Sequence, residues 1–205
     1  PFSNIWIAKN TAYRLPVGSA LHLGILNSAR SWNFFDVPKG VDTFINTGGY
    51  GIDGCVSALL GASLAHPGRL HFGVVGDLAF FYDMNALGNR HVGNNLRLMV
   101  VNNGCGAEFQ LYNHPYTKSG FTDLVGPYLA AAGHFGRRSR QLVRHYAEDL
   151  GLTYLSAENK EEYLEQCARF LEAGLTEKPI LFEVFTEPSE ESAALKMMRN
   201  LPISW

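Results

Sequence analysis

Two short segments carry residue types that together could hold a magnesium ion and a phosphate. Gly76-Asp77 ends the β-rich run Arg69–Val75, and Asn103 follows the next apolar run, Leu96–Val101. A helical stretch of about Phe80–Arg90 separates the two runs. Strand–helix–strand units place their strands parallel, so both residues emerge at the carboxyl edge of the sheet, where α/β folds bind ligands. Asp77 and Asn103 offer one anionic and one neutral hard oxygen. That set suits Mg²⁺, with phosphate oxygens and water in its remaining octahedral positions. The helix opening after Asp77 presents unpaired backbone N–H groups and the positive end of its dipole, and Gly76 lets backbone approach a ligand closely. A Gly-Asp after a strand is common and Asn-Asn-Gly is an ordinary turn signal. The crossover that sets them side by side gives the pair its weight.

The elements that must position these residues alternate along the chain. Residues 1–15 show little periodicity and read as a linker or tail, leaving 16–205 as one domain. The apolar runs Ser19–Ile25 and Val41–Ile45 read as buried strands. Asp53 reads as the N-cap of a helix to about Ala65, with Val56, Leu59, Leu60 and Leu64 on its apolar face and Pro67-Gly68 closing it. Residues 104–136 are rich in Gly, Pro, Asn and Tyr, and a loop that long usually faces a site. A helix at Ser139–Leu150, a strand at Thr153–Leu155, a helix at Lys160–Ala173, a strand at Pro179–Phe185 and a helix from Ser189 complete the chain. This alternation predicts an α/β three-layer sandwich with a mostly parallel central sheet.

Composition narrows the function classes. Apolar residues make up 46% and charged residues 18%, enough for a sizeable core. A net charge of -2 and a pI near 6.4 call for neither nucleic acid nor an anionic membrane as partner. Arg137, Arg138 and Arg140 read as a solvated helix start. Cys55, Cys105 and Cys167 lie far apart without a zinc-type spacing, which suggests reduced thiols and a cytoplasmic setting. No run of about 18 apolar residues and no leader pattern is present. The chain opens on Pro1, as a trimmed chain or a piece of a longer protein would. Neither GxGxxG nor GxxxxGK[ST] occurs, which lowers the option of a nucleotide-binding α/β domain.

The spacing of Gly76-Asp77 and Asn102-Asn103 resembles the GD...NN signature of thiamine-diphosphate enzymes. The likeness continues through LPVGSALHLG at 15–24, GIDG at 51–54, GDLAFFYDMNAL at 76–87 and VVNNGCGAEF at 100–109. These segments look like the C-terminal domain of the menaquinone-pathway SEPHCHC (2-succinyl-5-enolpyruvyl-6-hydroxy-3-cyclohexene-1-carboxylate) synthase family. The resemblance implies a thiamine-diphosphate-binding fold. In it, Mg²⁺ is held by the Asp77 carboxylate, the Asn103 side-chain oxygen and the Cys105 carbonyl. It implies that Leu78 and Ala79 meet the diphosphate, and that Gly51 and Ile52 lie near the aminopyrimidine. It also implies decarboxylation of a 2-oxo acid with transfer or release of the acyl-anion equivalent, in a homodimer or tetramer. By the same resemblance the activating Glu is expected on a separate pyrimidine-binding domain of the same or another chain, so this stretch alone is expected to be inactive, with no catalytic side chain of its own. A catalytically silent cofactor-binding or regulatory module of the same fold is the alternative.

The substrate side departs from that family. Asn27-Ser28 is present, but Trp32 stands where the family has an Arg, and Arg30 falls two residues earlier. Asn46-Thr47-Gly48 replaces Asn-Arg-Gly, and Glu108 replaces an apolar residue before the pocket residue Phe109. Ser28, Trp32, Glu108 and Phe109 are therefore the candidate substrate-pocket residues. Two lost carboxylate clamps and one added acid argue against a poly-anionic substrate. Among the histidines, His66, His71 and His91 read as core or surface residues, and His114 in the long loop has the better claim to a site.

Overall fold

Six strands form one sheet: β1 (Ala20–Gly24), β2 (Asp42–Asn46), β3 (His71–Gly76), β4 (Leu96–Asn102), β5 (Thr153–Ala157) and β6 (Ile180–Phe185). Their order is β2-β1-β3-β4-β6-β5, and every neighbouring pair is parallel. The structure is a computed structural model that describes residues 1–120 and 122–201. The expected domain of 16–205 thus includes Phe121 and 202–205, which lie outside the described residues.

Alternating strand residues feed two cores. Val74, Met99, Val101 and Phe182 pack against α1 (Asn4–Thr11), α2 (Asn27–Trp32) and α9 (Lys160–Phe170). Val75, Leu98, Val100 and Leu181 pack against α3 (Cys55–Ala65), α4 (Asp77–Asp83) and α8 (Leu142–Asp149). Helices on both faces of a parallel sheet are the expected three-layer sandwich. A terminal helix, α10 (Pro188–Arg199), closes one end against α1 and Leu111. All seven residues of β4 are buried, as a strand covered on both faces requires. Its Arg97 is matched by the carbonyls of Phe170 at 2.6 Å and Gly174 at 2.8 Å.

Several local expectations need correction. Residues 1–15 are no tail: Ser3 caps α1, and Ile7 and Ala8 are fully buried. Buried Ser3, Asn4 and Thr11 interrupt the apolar stripe, which hides the helix from a periodicity reading. β2 is not a buried strand but one of the two edge strands, with Phe44 50% and Ile45 45% exposed. Asp53 does not cap α3. Gly54 takes that position at φ +93, which favours glycine, and the cap comes from another element. Asp83 at the end of α4 accepts from the Ser57 amide at 2.6 Å and its hydroxyl at 2.5 Å. Leu64 is exposed and Ser63 takes the inner face. The helix expected at Phe80–Arg90 starts earlier, at Asp77, and tightens to a 3₁₀ turn at Met84–Gly88. The 104–136 segment carries short helical turns, α5 (Pro115–Lys118), α6 (Thr122–Leu124) and α7 (Phe135–Arg138) among them. Among the described residues, no helix is long and apolar enough to cross a membrane.

Candidate functional site

The loops that leave β1, β3 and β4 meet at one edge. Successive strands run one way from β1 to β2 and the other way from β3 to β4, so β1 and β3 flank the switch point where α/β sheets open a crevice. A cavity of about 90 Å³ lies there. Ser28 lines it from α2 and Ile52 from the loop before α3. Gly76, Asp77, Leu78 and Ala79 contribute from the β3–α4 junction. Asn103 and Cys105 enter from the loop after β4, and Glu108 and Phe109 from the following turn. Residues spread over four loops thus converge, because β3 and β4 are adjacent in register, Gly76 facing Val101.

Asp77 is the first residue of α4, and Gly76 before it has no side chain to cap the helix. The Asp77 carboxylate is buried at 1% exposure. Its Oδ2 accepts from the Gly104 amide at 3.0 Å and stands 2.5 Å from His134 Nε2. Asn103 Oδ1 accepts from the Cys105 amide at 3.3 Å, and the Cys105 carbonyl accepts from Ala107 N at 3.0 Å. The Cys105 carbonyl keeps a lone pair free for a cation. The second contact of Asn103 Oδ1 is the Cys105 thiol at 3.8 Å, a weak donor that has Gln110 Oε1 at 3.7 Å as its other acceptor and would turn there when a cation takes Oδ1. Burial, aided by the negative charge of Asp77, pushes the Cys105 thiol up to about 12, so its side chain is no nucleophile near neutrality. Among the described residues, no three His, Cys, Asp or Glu side chains converge as a metal site. A cation here would draw on the Asp77 carboxylate together with carbonyl, carboxamide and ligand oxygens.

Other expected residues fall elsewhere. Trp32 is a correction: it faces α1 in the core, 3% exposed, and its Nε1 donates to Asn4 Oδ1 at 3.0 Å. Burial on the inner face of α2 takes it away from the cavity. Gly51 precedes Ile52 in its loop and is not among the cavity's lining residues. His114 caps α5 by accepting from the Tyr116 amide at 3.3 Å, and its ring meets Phe109 edge-on. Arg30 forms a two-pronged ion pair with Glu108, the second prong 2.9 Å long.

Sequence reading missed two groups. His134, with Gly133 and Phe135 on either side, carried no local signal. Glu183 did carry one, a lone acid within the apolar run Ile180–Phe185. It is 1% exposed, accepts from Asn102 Nδ2 and Tyr154 OH at 2.7 Å each, and burial pushes its carboxyl up to about 7 against those bonds.

A larger cavity of about 450 Å³ lies between β1, β2 and α3 and holds none of the predicted cofactor, metal or substrate residues. His22 Nε2 sits 3.2 Å from His71 Nδ1 on its wall. Burial first, then the positive charge of Arg69 and, for His71, of its partner histidine, lowers both to about 4. Both imidazoles are thus neutral in the fold but bind protons below about 6.5 when unfolded. Stability from this pair is complete above pH 6.5 and is lost as pH falls toward 4. The buried acids Glu183 and Glu191, raised by burial, act in the opposite sense. A comparison with His22→Gln removes them: wild type should lose several degrees of Tm relative to the variant between pH 7 and 4.5, in paired thermal melts.

The sequence has counterparts among known proteins. No protein-family model matches the chain. It is 31% identical over 198 residues to the 2-succinyl-5-enolpyruvyl-6-hydroxy-3-cyclohexene-1-carboxylate synthase of Bacteroides fragilis, covering 96% of this chain and 33% of that protein. The synthase of Bacteroides thetaiotaomicron is 34% identical over 182 residues, 89% of this chain and 31% of its own. That of Desulfotalea psychrophila is 31% identical over 190 residues, 90% and 32%. The chain is a homologue of the SEPHCHC synthases. The family resemblance carried by the Gly-Asp and Asn-Asn segments is thereby borne out, and it extends to nearly the whole chain. This SEPHCHC synthase homologue spans about a third of the length of the curated relatives it matches.

Proposed function

We propose that this chain is the diphosphate- and magnesium-binding domain of a thiamine-diphosphate-dependent enzyme acting on a 2-oxo acid. The observation that carries the reading is the Asp77 carboxylate. It is buried at the β1/β3 switch point, free of any Lys or Arg ion pair among the described residues, and faces Asn103 across a shared cavity. A buried carboxylate without a cationic partner is costly, and a divalent ion offsets that cost. Asp77 Oδ1, Asn103 Oδ1 and the Cys105 carbonyl would hold Mg²⁺. The amides of Leu78 and Ala79 would face the diphosphate, and Ile52 the ring end of the cofactor.

The bound cofactor would supply the carbanion chemistry. The residues of this chain would anchor it, neutralise its charge and wall off the cavity. The activating Glu would come from a pyrimidine-binding domain of the same or another chain, in a homodimer or tetramer. The Arg30–Glu108 pair favours a substrate with few carboxylates, because the arginine beside the cavity already holds one. A cytoplasmic setting accords with the three free cysteines.

Calorimetry tests the reading. Thiamine diphosphate with Mg²⁺ should bind at least tenfold more tightly than without the metal, while NAD and ATP give no comparable heat. Equal binding with and without Mg²⁺ would contradict it. Turnover of simple 2-oxo acids by the intact protein separates an enzyme from a silent module of the same fold.

A further inference from the structure

We propose that His134 is a positioning residue for the cation-binding carboxylate. It occupies Asp77 Oδ2 so that Oδ1 alone turns to the metal. This inference rests on the reading of Asp77 as a cation ligand and adds a residue from a segment outside both motifs.

Two donors converge on the same oxygen, His134 Nε2 at 2.5 Å and the Gly104 amide at 3.0 Å. A carboxylate oxygen has two lone pairs, so Oδ2 is filled and Oδ1 is left for a cation. The imidazole's other nitrogen identifies the tautomer: Nδ1 is buried without a partner among the described residues. A proton there would be stranded, whereas a proton on Nε2 points at an acceptor. The hydrogen on Nε2 therefore fits the site, and the imidazole acts as donor rather than metal ligand.

His134 is held in place from both motif segments. Gly106 N donates to Ala130 O at 2.6 Å, Gly133 N to Gly104 O at 3.2 Å, and Asn102 Nδ2 to Gly136 O at 3.1 Å. On the α4 side, the Phe81 ring meets the imidazole edge-on at 5.4 Å. A Cβ on Gly136 would lie 2.0 Å from Phe81 Cζ, so only glycine fits beside that ring. Such contacts fix the donor's direction. A merely structural histidine would need the packing but not the Nε2–H.

Two variants separate those roles in the intact protein. His134→Phe keeps a ring against Phe81 and removes the donor. His134→Gln keeps a donor and removes the ring. With Mn²⁺ as probe and thiamine diphosphate present, electron paramagnetic resonance titration should show His134→Phe binding the ion about tenfold or more weakly. His134→Gln should recover most of that loss, and both variants should show wild-type far-UV circular dichroism without metal. If His134→Phe binds Mn²⁺ as wild type does, or if His134→Gln is equally weakened, the proposal is overturned. If wild type itself binds no Mn²⁺ with the cofactor, the reading of Asp77 beneath it fails instead, and the proposal falls with it.

Discussion

Asp77→Asn should lower the Mg²⁺-dependent affinity for thiamine diphosphate about a hundredfold or more, roughly 2.7 kcal/mol, while the fold survives. Asn matches Asp in shape, and burying a neutral amide costs less than burying a carboxylate, so the helix start and its surroundings need not move. The amide cannot, however, meet both demands of the site. If its oxygen faces Gly104 N and His134, its NH₂ faces the cation and repels it. If it turns over, the NH₂ meets the Gly104 amide and the imidazole donor, both of which point at Oδ2. Either orientation also removes the negative charge that binds the ion. Calorimetry at fixed Mg²⁺ reads the effect, and melting without metal confirms the fold. Affinity within threefold of wild type would mean that the cation, if bound, sits elsewhere.

The sequence revealed this part of the site because its signals are local. A β-rich run, a Gly-Asp break, a helix and a second apolar run ending in Asn-Asn constrain one another within about thirty residues, and the parallel pairing of β3 with β4 follows from the crossover. The same reasoning reached the C-terminal rhythm, where β6 begins at Ile180 and α10 at Pro188. What it missed depends on contacts between distant segments. The apolar run of β2 looks like that of β1, and only position in the sheet leaves Phe44 and Ile45 exposed. Asp53 has the chemistry of a cap, yet Asp83, distant in sequence, performs it. Trp32 reads as a pocket residue from its place in the family pattern, and the docking of α1, which the periodicity did not show, puts it in the core. His134 lies 57 residues from Asp77, and no spacing rule connects them.

Glu108→Leu should open the cavity to a more anionic ligand. Arg30 and Glu108 are both partly exposed, at 29% and 17% of their side-chain surface, so the pair adds little to stability and its loss should leave the fold intact. Its larger consequence is for recognition. A guanidinium forked onto a carboxylate has its best geometry for anions already in use. Glu108 lines the cavity, so its carboxylate stands where a second carboxylate of a substrate would seek the same arginine, and repels it. Leucine at this position removes the competitor and frees Arg30. The intact protein carrying Glu108→Leu should bind a 2-oxo dicarboxylate ten- to a hundredfold more tightly than wild type, with little change for a 2-oxo monocarboxylate. The gain should shrink as salt is raised, because a partly exposed charge pair is screened. Equal changes for both ligands would point to altered packing around Phe109, and no change for either would remove Arg30 from the substrate site. Only a selective, salt-sensitive gain fits an arginine kept occupied by the protein's own acid.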